Sequence, residues 1–365
     1  MALLHQIALS CLPGIGSVLA RNLISFCGDA EAIFQLKSKQ LAQISGIGPK
    51  TIPLIKDYSG ALRRAEKELN FIDKYKIKTL FLTDSDYPKR LRSCADAPII
   101  LYFKGNADLN THHVLSIVGT RNATDYGKEI CKTLIEDIKV HSPLIISGLA
   151  YGIDSLAHKE SLKCELATVG VLAHGLDRIY PAQHRNMAEK MLERGGLITE
   201  FMSGTNPDRE NFPKRNRIIA GLSDLTIVVE ANIKGGALIT AELANSYNRD
   251  VFAYPGRVND EFSQGCNFLI KTNRANLMTK VSDLEYLMGW TRNTELVQQT
   301  QLSLPIDLSV EERTIVDVLV ARGSLGIDEL AISTGFQQSK LVTMVLRMEM
   351  QGTIISLPGK VYKMA

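Results

Sequence analysis

From about residue 114 onward, short apolar runs alternate with stretches of helical periodicity, a rhythm that few architectures accommodate. Val114-Leu115-Ser116-Ile117-Val118, Pro143-Leu144-Ile145-Ile146 and Thr168-Val169-Gly170-Val171-Leu172 are the first runs. Leu197-Ile198, Leu225-Thr226-Ile227-Val228-Val229 and Val251-Phe252-Ala253 follow. A strand that is apolar at successive positions has two faces to bury, so helices must cover the sheet on both sides. Helices are expected from about Tyr126 to Lys139 and from about Asp154. The reading is an α/β chain built on a mostly parallel sheet.

Length adds further domains. The chain has 365 residues, and single cores stop growing near roughly 250. Residues 1–70 read as short helices separated by two similar turns, Leu12-Pro13-Gly14-Ile15-Gly16 and Ser45-Gly46-Ile47-Gly48-Pro49-Lys50. Glycine permits the tight turn, and the outward N–H groups of the next helix can hold a phosphate. The pattern resembles a tandem helix-hairpin-helix module of the SAM-like kind. It carries eight basic and five acidic residues. A DNA-backbone contact and a plain packing module both fit it.

Residues 71–290 form the expected extended Rossmann-like domain, doubly wound and mostly parallel. Its first part, 71–111, is broken at Tyr87-Pro88 and Ala97-Pro98 and then supplies a strand at Ile99–Phe103. Residues 291–308 are polar and Gln-rich, with Pro305, and read as a linker. From 309 to 365 the order is three helices and a hairpin, opened by Ser309 and Glu312 as a capping box. That order resembles a small winged helix. Its six basic and six acidic residues cancel. A neutral module releases few counterions, so it is expected to contact protein or to regulate rather than to hold duplex DNA.

The net charge of +3, from 42 basic and 39 acidic residues, excludes a polybasic arm, an acidic tail and a surface that coats duplex DNA. Divided by segment, residues 112–290 carry −1. Six scattered cysteines without a C-x-x-C pair argue against a disulfide framework or a metal site, and for a reducing cytoplasm. No apolar run reaches the ~18 residues of a membrane span. No basic residue precedes the apolar start, so no signal peptide is expected.

Ligands of a doubly wound sheet bind at the carboxyl ends of its strands, so the loops there carry the information. After the first strand comes Gly119-Thr120-Arg121, with one glycine where a dinucleotide site wants three. Arg121 suits a phosphate contact. Ser147-Gly148-Leu149-Ala150-Tyr151-Gly152 can form an anion-binding nest, and Asp154 reads as the cap of the next helix. Arg209, Asn211, Phe212, Lys214, Arg215, Asn216 and Arg217 gather four cations, an aromatic ring and amides within nine residues. Phe212 can stack on an unpaired base while the cations follow phosphates. Asn267 lies in a fourth polar loop. No P-loop and no nucleophile elbow are present, so no cofactor and no catalytic residue are expected. His174 and His184 lack partners at useful spacing and read as core or loop histidines.

In this order, these loops resemble the DprA (Smf) family of DNA-processing proteins. The match runs through Gly175-Leu176-Asp177-Arg178-Ile179-Tyr180-Pro181, Phe212–Ser223, Gly235–Ala241, Pro255-Gly256 and Gly265–Ile270. The resemblance implies a non-enzymatic dimer that binds incoming single-stranded DNA and loads the recombinase RecA, displacing single-strand-binding protein, in transformation or recombination. It implies a site of Gly119, Arg121, Ser147, Gly148, Gly152, Arg185, Arg209, Phe212, Lys214, Arg215, Asn216, Arg217 and Asn267. Three departures stand out. Ala182 follows the Tyr-Pro pair where a basic residue is usual, with Arg185 one turn on; Gly235-Gly236 replaces Ser-Gly; Asn273-Arg274 replaces a glycine. The alternative reading is a Lonely-Guy-like phosphoribohydrolase, for which Gly235-Gly236 and Glu242 fall at matching spacing.

Overall fold

A computed structural model describes residues 2–290 and 308–365 of the chain. The expected linker therefore lies outside the described residues except for Leu308. Six helices come first: α1 (Ala2–Ser10), α2 (Ser17–Cys27), α3 (Ala30–Gln35), α4 (Ser38–Leu41), α5 (Ile52–Lys56) and α6 (Ser59–Tyr75). The two glycine turns precede α2 and α5, and Gly14 and Gly46 adopt the left-handed φ values such turns need, 73° and 83°. The boundary read at residue 70 falls inside α6, whose amphipathic face carries Ala61, Ala65 and Ile72 into the core.

The central domain runs β1 (Lys78–Phe81), α7 (Lys89–Arg92), β2 (Ile100–Gly105), β3 (Val114–Val118), α8 (Asp125–Ile138), β4 (Leu144–Ser147) and α9 (Ile153–Lys163). It continues with β5 (Thr168–Val171), α10 (Arg185–Glu193), β6 (Gly195–Thr199), α11 (Asn211–Leu222), β7 (Leu225–Val228) and α12 (Gly236–Ser246). β8 (Asp250–Ala253), α13 (Gln264–Lys271), β9 (Asn276–Leu277) and α14 (Val281–Met288) close it. The nine strands are ordered β1-β2-β6-β5-β4-β3-β7-β8-β9. From β6 to β9 every neighbouring pair is parallel, whereas β1–β2 and β2–β6 are antiparallel. The short edge strands β1 and β9 carry no alternation strong enough to be read from sequence.

Both faces of β3 are buried, as continuous apolarity requires. Leu115 and Ile117 pack with Ile145, Ile227 and Phe252 under α8 and α14. Val114 and Val118 join Ile146, Val171 and Val228 on the opposite face. That second cluster continues without interruption into Ile7, Leu23, Ile33 and Ile55 of the amino-terminal helices. Those helices are therefore part of the same hydrophobic body as the sheet. Glu68, only 1% exposed, adds a polar staple: its carboxylate accepts hydrogen bonds from the Ser203 backbone N–H, the Ser203 hydroxyl and Arg64.

The carboxyl-terminal module comprises α15 (Val310–Arg322), β10 (Leu325–Gly326), α16 (Ile327–Thr334), α17 (Gln338–Met350), β11 (Ile354–Leu357) and β12 (Val361–Met364). The expected capping box forms: Ser309 Oγ accepts from the Glu312 N–H at 3.2 Å, and Glu312 accepts from the Ser309 N–H at 2.8 Å. Ile315, Leu319, Leu330, Leu341 and Val345 give the module a core of its own. Polar contacts hold it to the central domain. Arg249 pairs with Asp328, Ser93 also donates to Asp328, and Gln338 donates to the Tyr247 carbonyl. Lys360, in the turn between β11 and β12, donates to the Asn248 carbonyl.

Candidate nucleic-acid interface

The strand order reverses between β3 and β7, which is where a doubly wound sheet usually opens a crevice for a dinucleotide. Here the chain fills that crevice itself. Glu230, just after β7 and 1% exposed, turns its carboxylate onto the amino end of α8. It accepts from the Thr124 N–H at 3.0 Å and from the Thr124 hydroxyl, which in turn caps α8 through the Gly127 N–H. A Cβ at Gly127 would stand 2.1 Å from that carboxylate. The helix end that would receive a pyrophosphate already holds an anion.

The open pocket lies further along, over the carboxyl ends of β4 and β5. It is a small opening of about 40 Å³ between Leu149-Ala150-Tyr151, Leu172-Ala173-His174, Tyr180-Pro181 and the start of α11. Phe212 and Arg215 stand one turn apart on that helix and meet in the pocket. Arg121 reaches across from the loop after β3, its guanidinium 5.4 Å from the Phe212 ring centre. Arg215 lies 6.0 Å from the same ring. Tyr180 approaches Phe212 with ring centres 6.2 Å apart. Two guanidinium groups this close to one ring make an aromatic surface with positive charge beside it.

Arg215 is 4% exposed. Its nearest carboxylate, Asp154, is 3.9 Å away, and Nε and Nη1 have no hydrogen-bond partner in the described residues. Burial pushes the Asp154 carboxyl above its usual range, with the Arg215 charge opposing it. Asp154 is not the cap of α9. That position belongs to Gly152, whose φ of 77° allows the turn, and Asp154 is turned toward Arg215 instead. Glycine at 148 is dictated by Arg215, since a Cβ there would lie 1.7 Å from Nη1. His158 fixes the Gly148 loop from below: Nε2 donates to the Gly148 carbonyl at 2.6 Å, and Nδ1 accepts from the Thr168 hydroxyl at 2.6 Å.

The family model for DNA recombination-mediator protein A matches residues 78–288, and a SAM-like helix-hairpin-helix tandem matches 7–57. Protein Smf of Synechocystis is 37% identical over 292 residues, covering 78% of this chain and 72% of that protein. The chain belongs to the DNA recombination-mediator protein A (DprA/Smf) family. The X-ray structure of DprA from Streptococcus pneumoniae superposes with a TM-score of 0.66 at 30% identity, covering 77% of this chain and 96% of that one. DNA processing protein A from Helicobacter pylori, described for its single-stranded DNA binding mode, superposes with a TM-score of 0.52 at 28% identity. That match covers 57% of this chain and 94% of the other.

Against this DprA frame, the residues proposed from sequence separate by position. Arg121, Phe212 and Arg215 line the pocket, and Gly148 lies against Arg215. Gly119 and Gly152 allow close packing of the surrounding loops, where a Cβ would meet Ile153 or the Thr120 carbonyl. Ser147 is buried, and its hydroxyl donates to the Ile117 carbonyl at 2.6 Å. Arg185, Arg209 and Lys214 are exposed near the pocket in sequence but do not line it. Arg217 points the other way and pairs with Glu200, because residues two apart on a helix face different sides. Asn216 leans toward α12, with the Gly236 carbonyl at 3.5 Å. Asn267 spends its amide on both backbone groups of Gly256. Glu242, the hydrolase candidate, pairs with Arg274 at 2.7 Å on an exposed surface.

Sequence reasoning left out Tyr151 and Tyr180 and read His174 as a core or loop histidine; all three line the pocket. The two tyrosines sit inside the quoted family segments, and each is about half exposed, at 46% and 50%. An exposed aromatic ring beside a cation-rich loop is a signal that needs the fold to become visible. Among the described residues no group of His, Cys, Asp or Glu is arranged to hold a metal ion. No described helix is long and apolar enough to cross a membrane.

Proposed function

We propose that this protein binds single-stranded DNA in the pocket between Arg121 and Arg215, without catalysis, and delivers that DNA to RecA in place of single-strand-binding protein. The reading rests chiefly on Phe212 lining a narrow pocket with two guanidinium groups beside its ring. An unstacked base can lie on such a ring while cations take the flanking phosphates. Duplex DNA is too wide and too stiff to place a base there. Family membership and the single-strand binding described for the Helicobacter pylori protein support the same reading. Arg185, Arg209 and Lys214 extend the track outward from the pocket. The central domain pairs two copies, so one dimer holds two stretches of strand.

Fluorescence anisotropy tests the binding step. Oligo-dT should bind far more tightly than a matching duplex, with affinity falling as salt rises. Arg121→Ala should weaken oligo-dT binding by about 1–3 kcal/mol, the cost of losing a charge-assisted contact. Equal affinity for duplex and single strand would overturn the reading, and full affinity in the variant would remove Arg121 from the site. Delivery is read as faster RecA filament formation on strand precoated with single-strand-binding protein.

A further inference from the structure

We propose that the carboxyl-terminal module is a latch: its Asp328 plugs an oxyanion recess formed by Arg249 and the Ser93 hydroxyl, and the recess takes a phosphate group when the module leaves. Arg249 stands at the amino end of β8, whereas the strand pocket lies over the carboxyl ends of β4 and β5. The inference therefore stands apart from the single-strand reading. Asp328 sits in the first turn of α16. It is 8% exposed and Arg249 is 5% exposed. One carboxylate oxygen accepts from Arg249 Nη1. The other accepts from the Ser93 hydroxyl at 3.1 Å and from the Gln338 amide at 3.0 Å. Arg249 and Ser93 belong to the central domain and stay behind when the module departs.

The module's buried apolar cluster is separate from those of the central domain. Charged and polar groups therefore hold the junction. Its second ion pair joins Lys360 to Asp250 at 3.7 Å. Burial pushes the Lys360 ammonium below its ordinary range and the Asp250 carboxyl above it. Arg249 Nε has no hydrogen-bond partner among the described residues. A junction of buried charges gains little net stability, because desolvation offsets the attraction. It is open to an anion that competes for the same cation. Arg90 and Arg92, the nearby cations of α7, are already engaged by Asp224 and the Asp84 carbonyl. Among the described residues Arg249 forms its ion pair with Asp328 alone. Loss of Asp328 leaves that guanidinium uncompensated. A phosphate restores what the carboxylate supplied, oxygen acceptors for Arg249 and Ser93, and brings up to about two negative charges instead of one.

Trp290, the sole tryptophan of the chain, reports on the latch. Gly289 beside it lies against the turn between β11 and β12, where an added Cβ would stand 3.2 Å from the Pro358 carbonyl. The full chain is titrated with sodium phosphate and with sodium chloride at matched ionic strength. Trp290 emission and hydrogen exchange at Asn248–Asp250 are followed. Phosphate should change the emission and quicken exchange where chloride does not. Equal opening by the two salts reduces the junction to charge screening and overturns the recess, and it needs no variant to fold. By calorimetry, Asp328→Ala should bind inorganic phosphate roughly tenfold more tightly than wild type, the ratio for a recess free about one-tenth of the time. Phosphate binding that survives Arg249→Gln also overturns the proposal. Oligo-dT without a terminal phosphate separates the two sources of the group. Tighter oligo-dT binding by Asp328→Ala than by wild type assigns the strand backbone, and unchanged oligo-dT affinity beside tighter inorganic phosphate assigns the free ion; either result supports the recess.

Discussion

His158 illustrates how one side chain underlies the pocket without touching it. It is fully buried between Thr168 and the Gly148 carbonyl, and burial lowers its pKa from 6.5 to about 4. Between those values the unfolded chain binds a proton that the native protein refuses. Stability is therefore complete above pH 6.5 and is lost as pH falls toward 4. The shift corresponds to about 3 kcal/mol. Urea unfolding at a series of pH values should show that loss, and His158→Gln should flatten it. An unchanged slope in the variant would assign the acid sensitivity elsewhere. From sequence this residue is one histidine inside a helix. Its role depends on a carbonyl ten positions away, brought close by the turn at Gly152.

At the level of elements, α11 joins two jobs through its periodicity. Phe212 and Arg215, three residues apart, share the pocket face, while Arg217 looks back toward Glu200 and the Asp96 carbonyl. The cation count of that segment was visible in the sequence, but its division between site and scaffold follows from helical phase. α8 makes the complementary case. Its amino end is neutralised by Glu230, more than one hundred positions away and hydrogen-bonded to Thr124. No local pattern marks Glu230, since nothing before folding places β7 beside β3. Glu230→Gln removes acceptor capacity from a buried helix end and should cost about 1–3 kcal/mol of stability. Unfolding midpoints within error of wild type would refute the assigned role.

The whole molecule has two attachments of opposite character. The amino-terminal helices share a continuous apolar core with the sheet, whereas the carboxyl-terminal module keeps its own core and docks through charged and polar groups. A polar junction can be exchanged for water, and a shared core cannot. Asp328→Ala strips Arg249 of its carboxylate, and breaking a buried pair is costly unless the survivor reaches solvent. The expected outcome is release of the module rather than unfolding. Hydrogen exchange should quicken around Asn248–Asp250 and the start of α17, while the Ile315–Val345 core stays protected. Unchanged exchange at Asn248–Asp250 would show that the pair does not hold the module. The +3 net charge takes its meaning at this scale too. Arg121 and Arg215 line one pocket of a domain with no basic excess. The alternation of apolar runs, the glycine turns and the capping box were enough for the order of domains and the parallel sheet, because those signals are local and periodic. The ordered family segments pointed to the DprA family. Which loop closes on which, the occupation of the switch point by Glu230, and the gathering of Arg121, Phe212 and Arg215 at one pocket were settled by tertiary packing. Those contacts join residues dozens to hundreds of positions apart, and local periodicity encodes none of them.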